Sequence, residues 1–455
     1  MARLRTLVAV GSVVVLAACG GGSGGGSATT PTPTPTPAPT PTPAPTPTPT
    51  PTPAPTLTNF VTVTVDQGPA SLNTGPNAYT SNNVAYASVT ICAPGSTTNC
   101  QTIDHVQVDT GSVGLRIFAS VINPSLLTAL TLETDTGGNP VGECYQYVDG
   151  YVFGSIRQAT MTIGGETVAN MPFQALSDTG VFSTVPASCS SGGGSNLGTV
   201  ADFGANGIIG IGTTTTDCGA ACTVANGQSA AIYYDCPASG CSAIIARAAS
   251  ATAPFQQVPN PVAAFGVDNN GTILVLPAAP PSGSLTATGT LYFGIGTQTN
   301  NGLGSATIYT ATTSNSRYGP GLINVIYKGV TLPVSFLDSG SSLYFFIDTT
   351  ITPCSTTGGL KGFYCPSPAL TLSPTIQGLN GASIAGTFTL YSAQTQFSSS
   401  NAVVPGVGGN PNVFYPNVNF SNSFDYGLPF FYGRSVYTAI EGRTAAGTVG
   451  PYFAF

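Results

Sequence analysis

Charged side chains are so scarce in this chain that helices would have little to place on a solvent-facing side: only 6% of its 455 residues are Asp, Glu, Lys or Arg. A surface helix normally builds its outer face from Lys, Glu and Arg, which are also good helix formers. Ser, Thr, Val and Ala dominate instead, interrupted by 57 Gly and 38 Pro. β-Branched residues fit a pleated strand better than a helix, and Gly and Asn supply the turns between strands. One such turn signal is Val267-Asp268-Asn269-Asn270-Gly271-Thr272, set between apolar stretches. The expected fold class is all-β, with short strands and frequent turns.

The same scarcity limits function. With 10 Lys plus Arg and a net charge of −7, the chain has no cationic footprint for phosphates, so no nucleic-acid partner is expected. There is 1 His, His105. Ser-His-Asp and Cys-His triads and most zinc sites depend on imidazole, so any of them would have to use this residue. His105 precedes a strand-like run and reads as a hydrogen-bonded structural residue. No metal and no organic cofactor is expected.

At the amino terminus Arg3 and Arg5 precede an apolar run from Leu7 to Ala18. Residues 1–18 read as a secretory signal, too short to remain as a membrane span. The sequence Leu16-Ala17-Ala18-Cys19-Gly20 resembles the bacterial lipobox. That resemblance implies cleavage before Cys19 and its diacylation, so that acyl chains hold the protein to the membrane. In a Gram-negative host it also implies outer-membrane sorting, because Gly20 is not the retention Asp. Residues 19–57 form a linker: a Gly/Ser tract, then a Thr/Pro/Ala alternation from Pro31 to Thr56. Such a tract cannot pack a core and should lie extended as polyproline II, at about 3.1 Å per residue and roughly 80 Å in all.

Of the 11 cysteines, an even number follows Cys19, which in an exported chain points to a disulfide framework. Local pairing joins Cys92 with Cys100, Cys144 with Cys189 and Cys354 with Cys365. Cys218, Cys222, Cys236 and Cys241 fall into two close pairs that could bond locally or be nested; a metal cluster is the rival that oxidation in this compartment disfavours.

Two segments share a pattern that composition does not explain: Val106-Gln107-Val108-Asp109-Thr110-Gly111-Ser112 and Ser335-Phe336-Leu337-Asp338-Ser339-Gly340-Ser341. Each is an apolar strand running into Asp, a hydroxyl residue, Gly and Ser. A carboxylate at the end of a buried strand is costly unless it is hydrogen-bonded, and the adjacent hydroxyls supply donors while Gly permits a sharp turn. Asp135-Thr136-Gly137 and Asp178-Thr179-Gly180 lack the preceding strand and read as plain turns.

The pair of turns resembles that of the pepsin family of aspartic peptidases, in which each of two lobes gives one Asp to a shared cleft. The likeness continues along the chain. Tyr147-Val148-Asp149-Gly150, Gly154-Ser155-Ile156 and Met161-Thr162-Ile163-Gly164-Gly165 look like the flap hairpin and the strand after it, with Tyr147 as the flap tyrosine. Asn206-Gly207-Ile208-Ile209-Gly210-Ile211-Gly212 is similar to the element that threads beneath the first catalytic loop. Its counterpart is the stretch from Tyr426 to Gly433, followed by Ser435-Val436-Tyr437-Thr438-Ala439-Ile440. Gly289-Thr290-Leu291-Tyr292-Phe293-Gly294 resembles the lobe-linking sheet. The chain also looks like a group of uncharacterised bacterial exported proteins.

This resemblance implies a bilobal double-barrel fold, with lobes at 58–260 and 261–455, and an aspartic endopeptidase acting on peptides or proteins at the cell envelope as a monomer. It implies Asp109 and Asp338 as the catalytic pair, Thr110 and Ser339 bonding across the interface, and Ser112 and Ser341 on the outer carboxylate oxygens. Gly111 and Gly340 complete the turns. Arg116 stands where the family usually has the Trp that holds the flap tyrosine, and Val148 replaces the flap Gly, which leaves side-chain specificity open. Two other readings compete: a pepsin-fold binding module without catalysis, because fold does not guarantee activity, and a structural or adhesive surface β-protein.

Overall fold

Strand formation follows the expected chemistry. In the segment Phe60–Val65, Val63 and Val65 are buried and Phe60 is exposed, the two-residue period of a strand with one face on a core. The Val113–Phe118 strand is buried throughout, on both faces. Helices among the described residues are brief; Pro124–Ala129 is one, with Pro at its first turn, where a missing N–H costs nothing. The computed structural model describes residues 58–455 apart from 75–80, 136, 220–230, 244–256, 314–319 and 356. The signal segment, Cys19, the Thr/Pro linker and Cys222 lie outside the described residues.

The protein is mostly β. Among the described residues the larger sheets have 17 and 7 strands. The 17-stranded sheet joins the amino-terminal half to the chain's end. Phe60–Val65 pairs antiparallel with Ala287–Phe293, Thr62 facing Thr290, and Ala287–Phe293 pairs in turn with Gly271–Val275. Ser435–Ala439 continues from there to Tyr452–Ala454. The Asn269-Asn270-Gly271 signal leads into the Gly271–Val275 strand but does not close a hairpin, since the preceding residues 261–268 are turn and bend.

One arrangement occurs twice. Gly207–Ile211 lies parallel to Cys100–Asp109, with Gly210 beside Asp109, and antiparallel to Val113–Phe118, with Ile209 facing Leu115. It therefore threads between the two arms of the Asp109 turn. Asp425–Tyr426 does the same in the 7-stranded sheet: it is parallel to Val330–Leu337, with Tyr426 facing Leu337, and antiparallel to Tyr344–Phe345. Close approach requires Gly at these crossings. A Cβ on Gly210 would lie 2.6 Å from the Val113 nitrogen, and one on Gly427 would run into the Leu343 carbonyl.

One buried apolar cluster runs from Val63 through Val108, Leu337 and Tyr426 to Phe453, so both threaded turns rest on a common core. Disulfides join Cys92 to Cys100, Cys144 to Cys189, Cys236 to Cys241 and Cys354 to Cys365. The three pairings expected from sequence are present, and within the second group Cys236 pairs locally with Cys241. Cys218 is disulfide-bonded as well.

Candidate active site

The paired strands end at the same place. Asp109 closes the Cys100–Asp109 strand, Asp338 follows Val330–Leu337, and their carboxyl groups hydrogen-bond each other. Within each turn the donors repeat. The Gly111 amide donates to Asp109 Oδ1 at 2.7 Å and the Ser112 hydroxyl to Oδ2 at 2.6 Å. The Gly340 amide donates to Asp338 Oδ1 at 2.7 Å, and the Ser341 hydroxyl lies 2.8 Å from its Oδ2.

Thr110 and Ser339 then tie the turns together reciprocally. The Ser339 hydroxyl donates to the Val108 carbonyl at 2.9 Å and accepts from the Thr110 amide at 3.1 Å. The Thr110 hydroxyl donates to the Leu337 carbonyl at 3.2 Å and accepts from the Ser339 amide at 2.9 Å. Each hydroxyl uses its one donor and an acceptor lone pair, so the interlock is satisfied on both sides. The glycines are equally reciprocal: a Cβ on Gly111 would stand 2.5 Å from the Asp338 carboxyl carbon, and one on Gly340 would stand 2.5 Å from Asp109 Oδ1. Any side chain at either position would push the carboxyls apart.

Both Asp side chains are 0% exposed. Burial, the largest influence, pushes the Asp109 carboxyl above its usual range, and the hydrogen bonds from Asp338, Ser112 and Gly111 offset part of that rise. Asp338 is pushed well above the usual range, first by burial, then by the charges of Asp109 and Asp425 and by its hydrogen bond with Asp109. Two hydrogen-bonded carboxyls raised together titrate as a pair that shares a proton.

Two residues of the site escaped the sequence reading. Gln107 sends its amide to the Gly340 carbonyl at 3.0 Å, adding a bond between the turns. Asp425, fully buried, places its Oδ2 2.6 Å from the Ser341 hydroxyl oxygen. A signal did exist: Asp425-Tyr426-Gly427 repeats the register of Ile208-Ile209-Gly210, with an acid where the first copy has Ile.

Tyr147 lies in the turn between the Val141–Gln146 and Gly150–Ile163 strands, where its amide donates to the Gly150 carbonyl at 2.7 Å. It is buried against Tyr145 and Phe203, not exposed at a hairpin tip. Beneath it Arg116, 0% exposed, contacts Glu143 at 2.7 Å and Asp217 at 2.9 Å, and its guanidinium lies 3.7 Å from the centre of the Tyr145 ring. Burial opposes the charge on Arg116, but Glu143, Tyr147 and Asp217 outweigh it and raise its pKa. A guanidinium stacked on an aromatic face thus sits at the centre of this cluster. Tyr145 also feels the charge of Asp109, which sets this cluster beside the dyad.

The Asp135 turn is ordinary: Asp135 Oδ1 accepts from the amides of Gly137 and Asn139. Asp178 departs from the expectation of a plain turn without a preceding strand: it follows the buried end of the Glu166–Leu176 strand and is itself buried, paired with Arg157 at 2.8 Å. His105 lies between Asp66, at 3.2 Å, and Asp104, at 3.1 Å, away from the site.

A family model described as a protein of unknown function (DUF3443) matches residues 55–455. The chain belongs to the DUF3443 family. No curated protein matches it. Among solved structures, the crystal structure of aspartic proteinase from Irpex lacteus is similar over 87% of this chain and 96% of that one, at 16% identity and a TM-score of 0.47.

Proposed function

We propose that this DUF3443 protein is an aspartic endopeptidase in which Asp109 and Asp338 activate a water molecule to hydrolyse peptide bonds. One observation carries the reading: two copies of a threaded Asp-hydroxyl-Gly-Ser turn meet so that their carboxyls hydrogen-bond each other and their hydroxyls interlock. Two carboxyls this close cannot both ionise readily and share one proton over a middle range of pH. The ionised carboxylate of the pair would take a proton from the bound water as it attacks the scissile carbonyl, while the protonated member donates toward the carbonyl oxygen. In this reading residues 58–260 and 261–455 are two pepsin-like lobes with the dyad at their junction. The protein works as a monomer on polypeptides at the bacterial envelope, tethered through a lipid on Cys19. No cofactor takes part.

The burial of both Asp side chains supports a second reading, a binding or structural module in which the interlock serves only to join two halves. Catalysis requires substrate to displace whatever covers the dyad. The test is cleavage of a mixed peptide pool across an acidic to neutral pH series by wild type, Asp109→Asn and Asp338→Asn. Activity in wild type that is lost in both variants is the expected result. A folded wild type that cleaves nothing at any pH overturns the peptidase reading and leaves the second one.

A further inference from the structure

Ser341 has one hydroxyl proton but two carboxyl neighbours, Asp338 Oδ2 at 2.8 Å and Asp425 Oδ2 at 2.6 Å. A hydroxyl can donate only once, so two ionised carboxylates at these distances would leave one oxygen facing another with no hydrogen between them. At least one of the two carboxyls must carry a proton and donate it to Ser341. The hydrogen bond between Asp338 and Asp109 already uses the dyad proton, which leaves Asp425 as the donor to Ser341 and Ser341 as the donor to Asp338.

The surroundings of Asp425 agree. Its side chain is fully buried, and its Oδ1 meets no donor among the described residues. A buried carboxylate with an orphan oxygen is costly, whereas the acid form needs only one good acceptor. The groups that face it offer no cation. The Val330–Leu337 strand sets Phe336 opposite it and leads to Asp338, the Tyr344–Phe345 strand sets Phe345 opposite it while Tyr344 faces Tyr426 on the other side of the pair, and Asp109 acts on Asp425 through space. Arg434 acts on the two tyrosines and packs on Phe430. Burial is the largest influence on Asp425 and raises its pKa well above the carboxylate range.

We propose that Asp425 is a third carboxyl of the site, a positioning residue that stays neutral and, through Ser341, aims a hydroxyl at Asp338. When Asp425 ionises at higher pH, the Ser341 hydrogen turns toward it. Asp338 then loses a donor and gains a negative neighbour. The catalytic consequence rests on the peptidase reading: the alkaline limb of the activity profile would report Asp425 as well as the dyad.

In Asp425→Asn the amide donates to Ser341 at every pH, so the alkaline limb should move up by about one pH unit or more while the acid limb stays in place. In a Ser341→Ala background the same substitution should move it less, because only the charge of Asp425 is left to act; an equal shift would show that Ser341 relays nothing. Superimposable limbs in Asp425→Asn and wild type would overturn the proposal. Infrared spectra of the full chain at neutral pH decide the protonation state without any activity: wild type should show a protonated-carboxyl band that Asp425→Asn lacks, and undiminished intensity in the variant refutes the proposal. If Asp425→Asn does not fold, Ser341→Ala replaces it, because loss of the acceptor must shift that band in frequency, and an unshifted band refutes the proposal. A wild type that cleaves nothing but shows the Asp425 band would sink the peptidase reading and keep the neutral carboxyl.

Discussion

The interlock between Thr110 and Ser339 can be tested by subtraction. Ser339→Ala removes the hydroxyl that donates to Val108 and accepts from Thr110, and it leaves a buried carbonyl and a buried amide without those partners. Each net hydrogen bond is worth about 1 kcal/mol, and each buried group left unsatisfied costs about 1–3 kcal/mol, so the substitution should destabilise by about 2–4 kcal/mol. Thr110→Val, nearly the same shape, removes the mirror-image pair to Leu337 and Ser339 and should cost a similar amount. The four bonds share the same two turns, so the double variant should depart from the sum of the single costs by about 0.5 kcal/mol or more. Denaturant midpoints at constant slope read all three costs. The exposed Ser190→Ala serves as the control, with a change expected within about 0.5 kcal/mol. Single costs no larger than the control, or strict additivity, would refute the claim that these hydroxyls hold the turns together.

Other parts of the structure give equally definite expectations. Arg116→Met leaves Glu143 and Asp217 buried without their cation and should cost about 3–5 kcal/mol, read by the same denaturant titration; a neutral outcome would refute the claim that the guanidinium holds this cluster together. For His105, the hydrogen bond to Asp66 leads the causes that raise its pKa above 6.5, while for Asp66 burial is the largest influence but is outweighed by the His105 bond, the Gly68 amide, the His105 charge and Thr64 together, so its pKa falls below 3.8. A raised His contributes stability that is lost as pH rises through its folded value, and a lowered Asp contributes stability that is lost as pH falls through its own. The stability difference between wild type and His105→Asn should therefore be largest between these limits and shrink on the alkaline side; a flat difference from acidic to alkaline pH would exclude the ion pair. Chain-entropy arithmetic gives about 4 kcal/mol for closing the 45-residue Cys144–Cys189 loop and about 2.5 kcal/mol for the 8-residue Cys92–Cys100 loop. Removing the first pair as Cys→Ala should lower the denaturant midpoint more than removing the second, and the reverse order would show that packing, not loop length, sets their value.

How much of this was legible in the sequence depended on whether the signal was local. The Asp109 and Asp338 turns announced themselves because strand, acid, hydroxyl and glycine are consecutive, and the nearby cysteine pairs are likewise close in sequence. Asp425 was missed because a lone acid between Phe424 and Tyr426 reads as a solvated turn residue until register places it beside Phe336. The Arg116 cluster was harder still. Arg116, Glu143 and Asp217 lie on separate elements, and only packing shows that three isolated charges are one buried group. Tyr147 lies in a turn between two strands, and its burial against Tyr145 and Phe203 depends on neighbours that no local pattern names.

The low charge that governs the fold also governs the electrostatics of the site. No cation stands among the principal influences on Asp109, Asp338 or Asp425, so burial and mutual repulsion act without a counter-charge and all three pKa values rise. In such a site selectivity between the two dyad carboxyls has to come from hydrogen bonds, and the two halves differ there. The first half sets Ile208 and Gln107 beside its turn, giving Asp109 only neutral neighbours from these positions, while the second sets Asp425 and Phe336 beside Asp338. A second carboxyl reaches Asp338 through Ser341: while neutral it leaves the Ser341 hydroxyl donating to Asp338, and once ionised it withdraws that donor and adds a negative charge beside the dyad. An acid where the first half has an isoleucine thus makes the hydrogen bonding of an otherwise symmetric pair of turns unequal.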